Sequence, residues 1–270
     1  PALAGIYQPN AKLDSIEKIG LNFGNAGEDV AIDNQGRIYT GYNDGRIVRF
    51  QADGLQPKEL INTGGRPLGL DFDNNGNLII ADADRGLLLL TPTGKLEVLS
   101  TGTDSYDLVF TDDVDVAPDG QIYFSDASSK HDRHNLKADM LEHRPHGLLL
   151  RYNPNDKTTE ILMRDLYFAN GIAVSPDNTF LLVVETSAYR VRKVWLDPDH
   201  KPQSKIIIDN LPGMPDGISS GSGDKFWLPL VAPRNALLDK LSQSPKIREA
   251  LLRFPEFLQP KIAHYSFVLS

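Results

Sequence analysis

A short pattern recurs five times along this chain, and the residue that leads each copy could take part in chemistry. Each copy has a leading residue, two or three apolar residues, a turn rich in Asp, Asn and Gly, and a second apolar run. The leading residues are Glu28, Leu68, Asp112, Asn170 and Asp216. Four of the five carry a side-chain oxygen, which is the kind of ligand that a hard cation such as Ca²⁺ prefers.

Each copy of the pattern predicts two β-strands joined by a tight turn. In the first copy, Val30 and Ile32 alternate with small or polar neighbours, a DNQG turn follows, and Ile38 starts the return strand. Further apolar runs predict third and fourth strands; they begin at Gly45, Gly86, Leu96, His146, Thr158 and Tyr189. The leading residues are 40, 44, 58 and 46 residues apart. Four strands per unit at this spacing are typical of the blades of an all-β propeller.

Two segments depart from the β pattern. The longest interval between leading residues predicts an insertion of helical composition in the third blade, roughly Ser128–Arg144, and the tail Asn235–Gln259 has apolar residues at helical spacing. No linker or low-complexity tract divides the chain, so we expect one propeller domain over residues 1–270. The final YSFVLS reads as the third strand of a fifth blade. We therefore expect either further sequence after Ser270 or a ring that stays open.

A propeller would bring the leading residues together although they are far apart in sequence. The innermost strand of every blade lines the central channel, so residues at the start of those strands meet at one axial opening. A single Asp or Asn before a strand most often stabilises a turn. Recurrence at the same phase of four repeats favours a metal site instead, because carboxylates gathered around a narrow axis repel one another unless a cation compensates. The pattern therefore predicts a Ca²⁺ site formed by Glu28, Asp112, Asn170 and Asp216.

Composition narrows the classes of partner. The chain has 28 Lys and Arg against 36 Asp and Glu, a net charge of −8, which argues against nucleic acid because such binding needs clustered positive charge. Without cysteine it has no disulfide, thiolate zinc site or cysteine nucleophile. No apolar stretch approaches the roughly 20 residues of a membrane span. The chain starts at Pro1, so an export signal or an anchor could precede it, and the compartment of this soluble domain stays open.

Longer motifs around the leading residues resemble a known family. GEDVAID, FTDDVDVAPDGQIYFSDAS, DLYFANGIAVSPDNTFLLVVE and LPGMPDGIS are similar to the strictosidine synthase-like proteins, over about Gly27 to Ser270. That family belongs to a superfamily of six-bladed propellers with the gluconolactonases (senescence marker protein family), the paraoxonases and the diisopropylfluorophosphatases. The resemblance implies six four-stranded antiparallel blades, of which this sequence would lack the last.

The resemblance also implies a metal-dependent hydrolase. In the hydrolytic relatives a central calcium is held by a Glu of the first blade and by Asn or Asp residues of later blades. Carried over by motif, the ligands fall on Glu28 (GEDV), Asp112 (TDDV, where many relatives have Asn), Asn170 (FANGI) and Asp216 (MPDGI). Such a calcium would polarise the carbonyl of a lactone or ester, or a phosphoryl oxygen, and activate water. Asp216 is the candidate for the general base or nucleophile.

Two other residues are candidates for contact with a small-molecule substrate. Leu68 stands where paraoxonase-like relatives place a histidine, so a histidine base of that kind is not expected. His131 lies in the insertion, which could reach over the channel as a lid. The histidine pairs 131/134 and 143/146 have the i, i+3 spacing of metal ligands. Because a proline interrupts the second pair and no carboxylate completes a tight motif, the sequence does not favour a zinc site.

Two alternatives to hydrolysis stay open. In one, the propeller is a non-catalytic scaffold whose axial cation is structural and whose faces bind a partner. In the other, it condenses an amine with an aldehyde, the reaction after which strictosidine synthase is named. In the plant enzymes this condensation depends on a Glu of the sixth blade, which the present sequence does not reach.

Overall fold

The computed structural model describes residues 4–13, 15–197, 202–221, 223, 225–242, 244–255 and 267–269. Five antiparallel sheets follow one another along the chain, and a two-stranded ribbon lies between the second and the third. In chain order the strands are β1 (Val30–Ile32), β2 (Ile38–Gly41), β3 (Arg46–Phe50), β4 (Lys58–Asn62), β5 (Pro67–Phe72), β6 (Leu78–Asp82), β7 (Gly86–Leu90), β8 (Leu96–Ser100), β9 (Gly102–Thr103), β10 (Tyr106–Asp107), β11 (Thr111–Val116), β12 (Ile122–Asp126), β13 (Gly147–Asn153), β14 (Thr158–Leu166), β15 (Ala169–Val174), β16 (Phe180–Glu185), β17 (Arg190–Trp195), β18 (Ser204–Ile208), β19 (Gly213–Pro215), β20 (Ser219–Ser220), β21 (Phe226–Pro233) and β22 (Phe267–Leu269).

Four of the sheets share one strand order. Strands β1–β4, β5–β8, β11–β14 and β15–β18 each form an antiparallel sheet in which neighbours in sequence are neighbours in the sheet. The first strands of successive sheets lie side by side, because β1 contacts β5, β5 contacts β11 and β11 contacts β15. These sheets are the predicted four-stranded blades of an all-β propeller, with β1, β5, β11 and β15 innermost.

The fifth sheet is irregular. Its first strand is split into β19 and β20, which both pair with one edge of β21, while β22 pairs with the other edge. Strand β22 thus holds the third position, as YSFVLS predicts. The prediction is a six-bladed propeller without its last blade; the described residues form five blades, not six, one for each copy of the repeat. The physical reason is that each copy supplies the inner hairpin of one blade, and the chain carries five copies.

The middle strands of the blades are apolar on both faces because a further blade covers each face. Ile80 belongs to the same buried cluster as Ile47 of the preceding blade. Its neighbour Ile79 belongs to a second cluster, together with Phe124 of the following blade. Because successive side chains of a strand point to opposite faces, a continuous apolar run such as LIIA is needed to fill both interfaces.

Buried and half-buried carboxylates join the innermost strands of neighbouring blades. Asp29 accepts a hydrogen bond from the backbone N–H of Leu70 at 2.8 Å, and Asp113 accepts one from Ile172 at 2.7 Å. Deeper in the channel the same contact recurs from Val116 to Asp71 at 2.8 Å and from Val174 to Asp115 at 2.6 Å. No sheet pairing crosses from blade to blade at these strands, so the side chains satisfy backbone donors that would otherwise be buried alone.

Three short α-helices and three 3₁₀ turns complete the described structure. The helices are α1 (Leu136–Glu142), α2 (Ala236–Lys240) and α3 (Pro245–Leu251), and the 3₁₀ turns are Gly5–Tyr7, Arg133–Asn135 and Thr186–Ala188. Helix α1 lies between β12 and β13, and α2 and α3 lie in the predicted helical tail, of which residues 243 and 256–259 fall outside the described residues. None of the helices in the described part of the chain is long and apolar enough to cross a membrane.

We expect Ile79→Ala to destabilise the protein by about 2–5 kcal/mol, because it leaves a cavity between two blades. Ile79 is 0% exposed. The matched control is Ile207→Ala on the outer strand β18, where the side chain is 45% exposed and the expected loss is below about 1 kcal/mol. Urea unfolding followed by circular dichroism measures both changes. Equal losses in the two variants would contradict the two-sided packing of the middle strands.

Candidate axial site

One cavity of about 820 Å³ opens where the copies of the repeat begin. All five leading residues line it. Glu28 lies just before β1, Leu68 within β5, Asp112 within β11, Asn170 within β15 and Asp216 directly after β19. The fold therefore brings these residues to one opening, as the repeat predicts.

In three of the five blades, a β-bulge in the innermost strand contains the leading residue and the residue that follows it. In the third blade the strand pairing shifts between Thr111 and Val114, and the second and fourth blades show the same shift. Both Asp112 and Asp113 lie inside this bulge. Asp112 lines the cavity, whereas Asp113 binds the backbone of the fourth blade. Two adjacent carboxylates thus have different surroundings, which a local bulge makes feasible.

Among the three leading carboxylates, Asp112 has the fewest neighbours that could balance its negative charge: Glu28 lies near Arg66, and Asp216 accepts a hydrogen bond from Asn170. The residue is 3% exposed, and no described group donates a hydrogen bond to its carboxylate. Burial raises the pKa of Asp112 well above its usual value, and the charges of Glu28 and Asp216 raise it further. A carboxylate that is largely removed from water and faces other carboxylates is costly to ionise, so this position favours a proton or a cation.

Glu28 and Asp216 also have pKa values above the usual value of a carboxyl group. Burial is the largest cause that raises the pKa of Glu28 to about 8, with Asp216 adding to it and Arg66 opposing it. The Glu28 side chain still keeps 30% of its surface accessible because it faces the open cavity. The Arg66 guanidinium lies 3.9 Å from the Glu28 carboxylate, so it offsets only part of the negative charge. Burial also raises the pKa of Asp216, against the hydrogen bond that Asn170 donates to it at 2.8 Å.

The oxygen donors fit a large, hard cation. Because Asn170 donates to Asp216 through Nδ2, its Oδ1 stays available as a ligand. In the described part of the chain, the three axial carboxylates do not come within 4.8 Å of one another as a set. Oxygen ligands on opposite sides of Ca²⁺ lie about 5 Å apart, since each bond is about 2.3–2.6 Å. The chemistry of the donors, which are all oxygen atoms, therefore suits Ca²⁺ better than a small tetrahedral ion.

A second layer of cavity-lining residues lies two positions before the leading residues, and the repeat pattern alone does not single it out. Arg66, Phe110 and Phe168 lie directly before β5, β11 and β15, and Met214 lies within β19, and all four line the same cavity. The Phe110 and Phe168 rings meet edge to face with centroids 5.5 Å apart. The signal in the sequence is an apolar residue at this offset in four of the five copies, and the residue is large in three of them.

Helices α1 and α2 cover one side of the cavity. Leu136, Met140 and Leu141 of α1 and Leu238 of α2 line it. Of the two predicted substrate contacts, Leu68 lines the cavity, but His131 is not among the described residues that do. Its Nε2 lies 2.6 Å from Glu142 at the end of α1.

Comparison with known proteins places the chain in a family. A family model described as strictosidine synthase matches residues 112–199, and one described as strictosidine synthase-like, N-terminal, matches residues 5–50. The adipocyte plasma membrane-associated protein of Salmo salar is 34% identical over 293 residues, which cover 100% of this chain and 70% of that protein. The chain belongs to the strictosidine synthase-like family. Protein STRICTOSIDINE SYNTHASE-LIKE 6 of Arabidopsis thaliana is 37% identical over 244 residues, 88% of this chain but 65% of the relative, so the chain spans less than two thirds of that family member.

Solved structures share the fold at lower identity. A gluconolactonase from Xanthomonas campestris has a TM-score of 0.65 and 21% identity, with coverage of 77% of this chain and 71% of its own. Regucalcin from Agrobacterium tumefaciens, a calcium-binding protein, has a TM-score of 0.59 and 19% identity, with coverage of 77% and 68%. Both likenesses concern the fold, and they confirm the propeller architecture of this family member.

We expect Arg248→Met to loosen α1 over the cavity. Buried Arg248 of α3 donates hydrogen bonds to the carbonyl oxygens of Met140 at 2.6 Å and Leu141 at 3.0 Å, where the helix end also attracts positive charge. Loss of these bonds should speed amide hydrogen exchange in α1 on the order of tenfold or more. Exposed Arg253→Met is the matched control and should leave that exchange unchanged. Equal exchange in all three proteins would show that Arg248 does not hold α1.

Proposed function

We propose that this protein hydrolyses a lactone or an ester with an apolar body at an axial Ca²⁺ site formed by Glu28, Asp112, Asn170 and Asp216. The observation that carries the proposal is the surroundings of Asp112, a buried carboxylate without a hydrogen-bond donor among the described residues, beside two further carboxylates. When bound, calcium supplies a Lewis acid that polarises the substrate carbonyl and activates water.

Asp216 is the residue that we assign to proton transfer. Its Oδ1 accepts the hydrogen bond from Asn170, which holds the carboxylate in place and leaves Oδ2 toward other partners. Oδ2 would take the proton of the attacking water as the general base. Because Asp216 also lines the cavity, a substrate carbonyl and the carboxylate share one compartment.

The walls of the cavity favour an apolar substrate over a sugar lactone. Leu68, Phe110, Phe168 and Met214 surround the leading residues on the strand side, and Met140 faces them from α1. Against these apolar residues a polyhydroxylated substrate would lose hydrogen bonds to water, and only the polar part of the lining, such as Asn43, Arg133 and Lys137, could replace them. An alkyl or aryl group would instead gain about 25 cal/mol for each Å² that it buries. The gluconolactonase of Xanthomonas campestris therefore serves as a guide to the fold and to the class of bond cleaved, not to the substrate.

We expect Ca²⁺ removal by a chelator to abolish hydrolysis of aryl esters and alkyl lactones, and Ca²⁺ addition to restore it. Glu28→Gln should weaken Ca²⁺ binding on the order of tenfold or more, because the charge of the ligand set governs affinity. Asp216→Asn should also lower kcat by about 100-fold or more through the loss of the base. The exposed Asp104→Asn is the charge-matched control and should behave like the parent protein. Calorimetry measures binding, and initial rates measure hydrolysis.

Three results would overturn parts of this proposal. Unchanged Ca²⁺ affinity in Glu28→Gln and Asp216→Asn would remove the axial metal site. Tight Ca²⁺ binding without any ester or lactone turnover would leave the cation structural and favour the scaffold alternative. Condensation of an amine with an aldehyde, in the absence of hydrolysis, would favour strictosidine synthase-type chemistry.

A further inference from the structure

We propose that the segment between β12 and β13, which contains helix α1 and is called the lid below, holds a second metal site of different chemistry. This site binds a divalent transition metal such as zinc through His131, Glu142 and His146. Their ligand atoms all lie within 4.8 Å of one another, and no other trio of His, Cys, Asp or Glu in the described residues does so. His131 Nε2 lies 2.6 Å from Glu142 Oε2, and His146 Nε2 lies 3.7 Å from the same oxygen. Two imidazoles therefore converge on one carboxylate oxygen.

The three residues lie toward the two ends of the segment that connects β12 to β13. His131 follows β12, Glu142 is the last residue of α1, and His146 directly precedes β13. The structure thus combines one histidine from each of the two i, i+3 pairs in the sequence. The other member of the first pair, His134, is exposed, and the other member of the second, His143, packs against Tyr167 with ring centroids 5.2 Å apart and planes tilted by 49°.

A salt-bridge network accounts for only part of this cluster. Lys130 binds Glu142 through Oε1, which leaves Oε2 for the imidazoles. The His146 Nε2 atom is buried, and at 3.7 Å from Oε2 it makes no hydrogen bond to any described group. An imidazole nitrogen buried without a partner is costly. A metal ion that accepts its lone pair would remove this cost.

The adjacent Asp139 supports a cationic occupant. Asp139 is 1% exposed, and its Oδ2 accepts a hydrogen bond from Ser128 at 2.5 Å. Its Oδ1 is buried and has no hydrogen-bond partner among the described residues. Lys130 is paired with Glu142 and therefore does not supply the missing partner of Asp139.

The ligand types favour zinc over calcium at this site. Imidazole nitrogen is a preferred ligand of zinc, and two histidines with one Glu are a known zinc set that leaves a fourth position for water. Zinc bonds of about 2.0–2.1 Å place tetrahedral ligand atoms roughly 3.4 Å apart. The observed separations of 2.6 and 3.7 Å lie on either side of that value. Bound zinc would link the two ends of the segment between β12 and β13 and so hold α1 against the third blade.

The test is titration of the chelator-stripped chain with Zn²⁺ alone, followed by calorimetry, and with Co²⁺, followed by visible absorption. We expect His131→Gln and His146→Gln each to weaken Zn²⁺ binding by at least about tenfold, since even changes outside the ligand set cost that much. His134→Gln, in the same segment, is the matched control and should bind like the parent. Glu28→Gln and Asp216→Asn should also retain this binding, which separates the lid site from the axial site.

A crystal grown with Zn²⁺ tests the proposal without any substitution. We expect an anomalous peak at the zinc edge between the three side chains. Absence of this peak at saturating Zn²⁺, or equal loss of Zn²⁺ affinity in His134→Gln and His146→Gln, would overturn the site. Circular dichroism of each variant checks that a lost affinity does not come from a lost fold.

Discussion

Buried carboxylates along the propeller axis are the constraint on which the rest of this structure depends. Where a carboxylate receives a backbone N–H from the next blade, as Asp113 does from Ile172, it holds two innermost strands together. Where it receives no donor from the described residues, as at Asp112, its charge has to be balanced by something else. The β-bulge in β11 places both cases on adjacent residues. Neighbouring acidic residues of the innermost strands thus serve both the contact between blades and the proposed cation site.

The second layer and the helices shape the space above these carboxylates. Phe110, Phe168 and Met214 make the strand side of the cavity apolar, and Arg66 is the cation nearest to Glu28. Helix α1 covers this space and is held from behind by Arg248 of α3. The contacts that hold α1, such as those of Arg248, therefore affect access to the cavity, although these residues lie outside the repeat.

Much of the fold could be read from the sequence because each repeat encodes its own hairpin. The turn at residues 33–36, the strands from Arg46 and Gly147, and the third position of YSFVLS all follow from local patterns. The resemblance implies six blades with the last one missing from this sequence, and the described residues form five blade sheets, one for each copy of the repeat. His131 was a different case. Its position in the sequence suggests a substrate contact. In the structure its ring instead contacts Glu142, which lies 11 residues later, where the chain returns toward β13.

The sequence by itself determined the blades and the phase of Glu28, Asp112, Asn170 and Asp216, because strand periodicity and turn chemistry act over a few residues. Only the tertiary structure decided which carboxylates lack a donor, which residues form the second layer of the cavity, and which histidines meet. Those properties depend on distances between segments that are far apart in the chain, such as His131 and His146 or Arg248 and Met140. Local periodicity carries no information about such distances, because they are set by how the blades and the lid pack together.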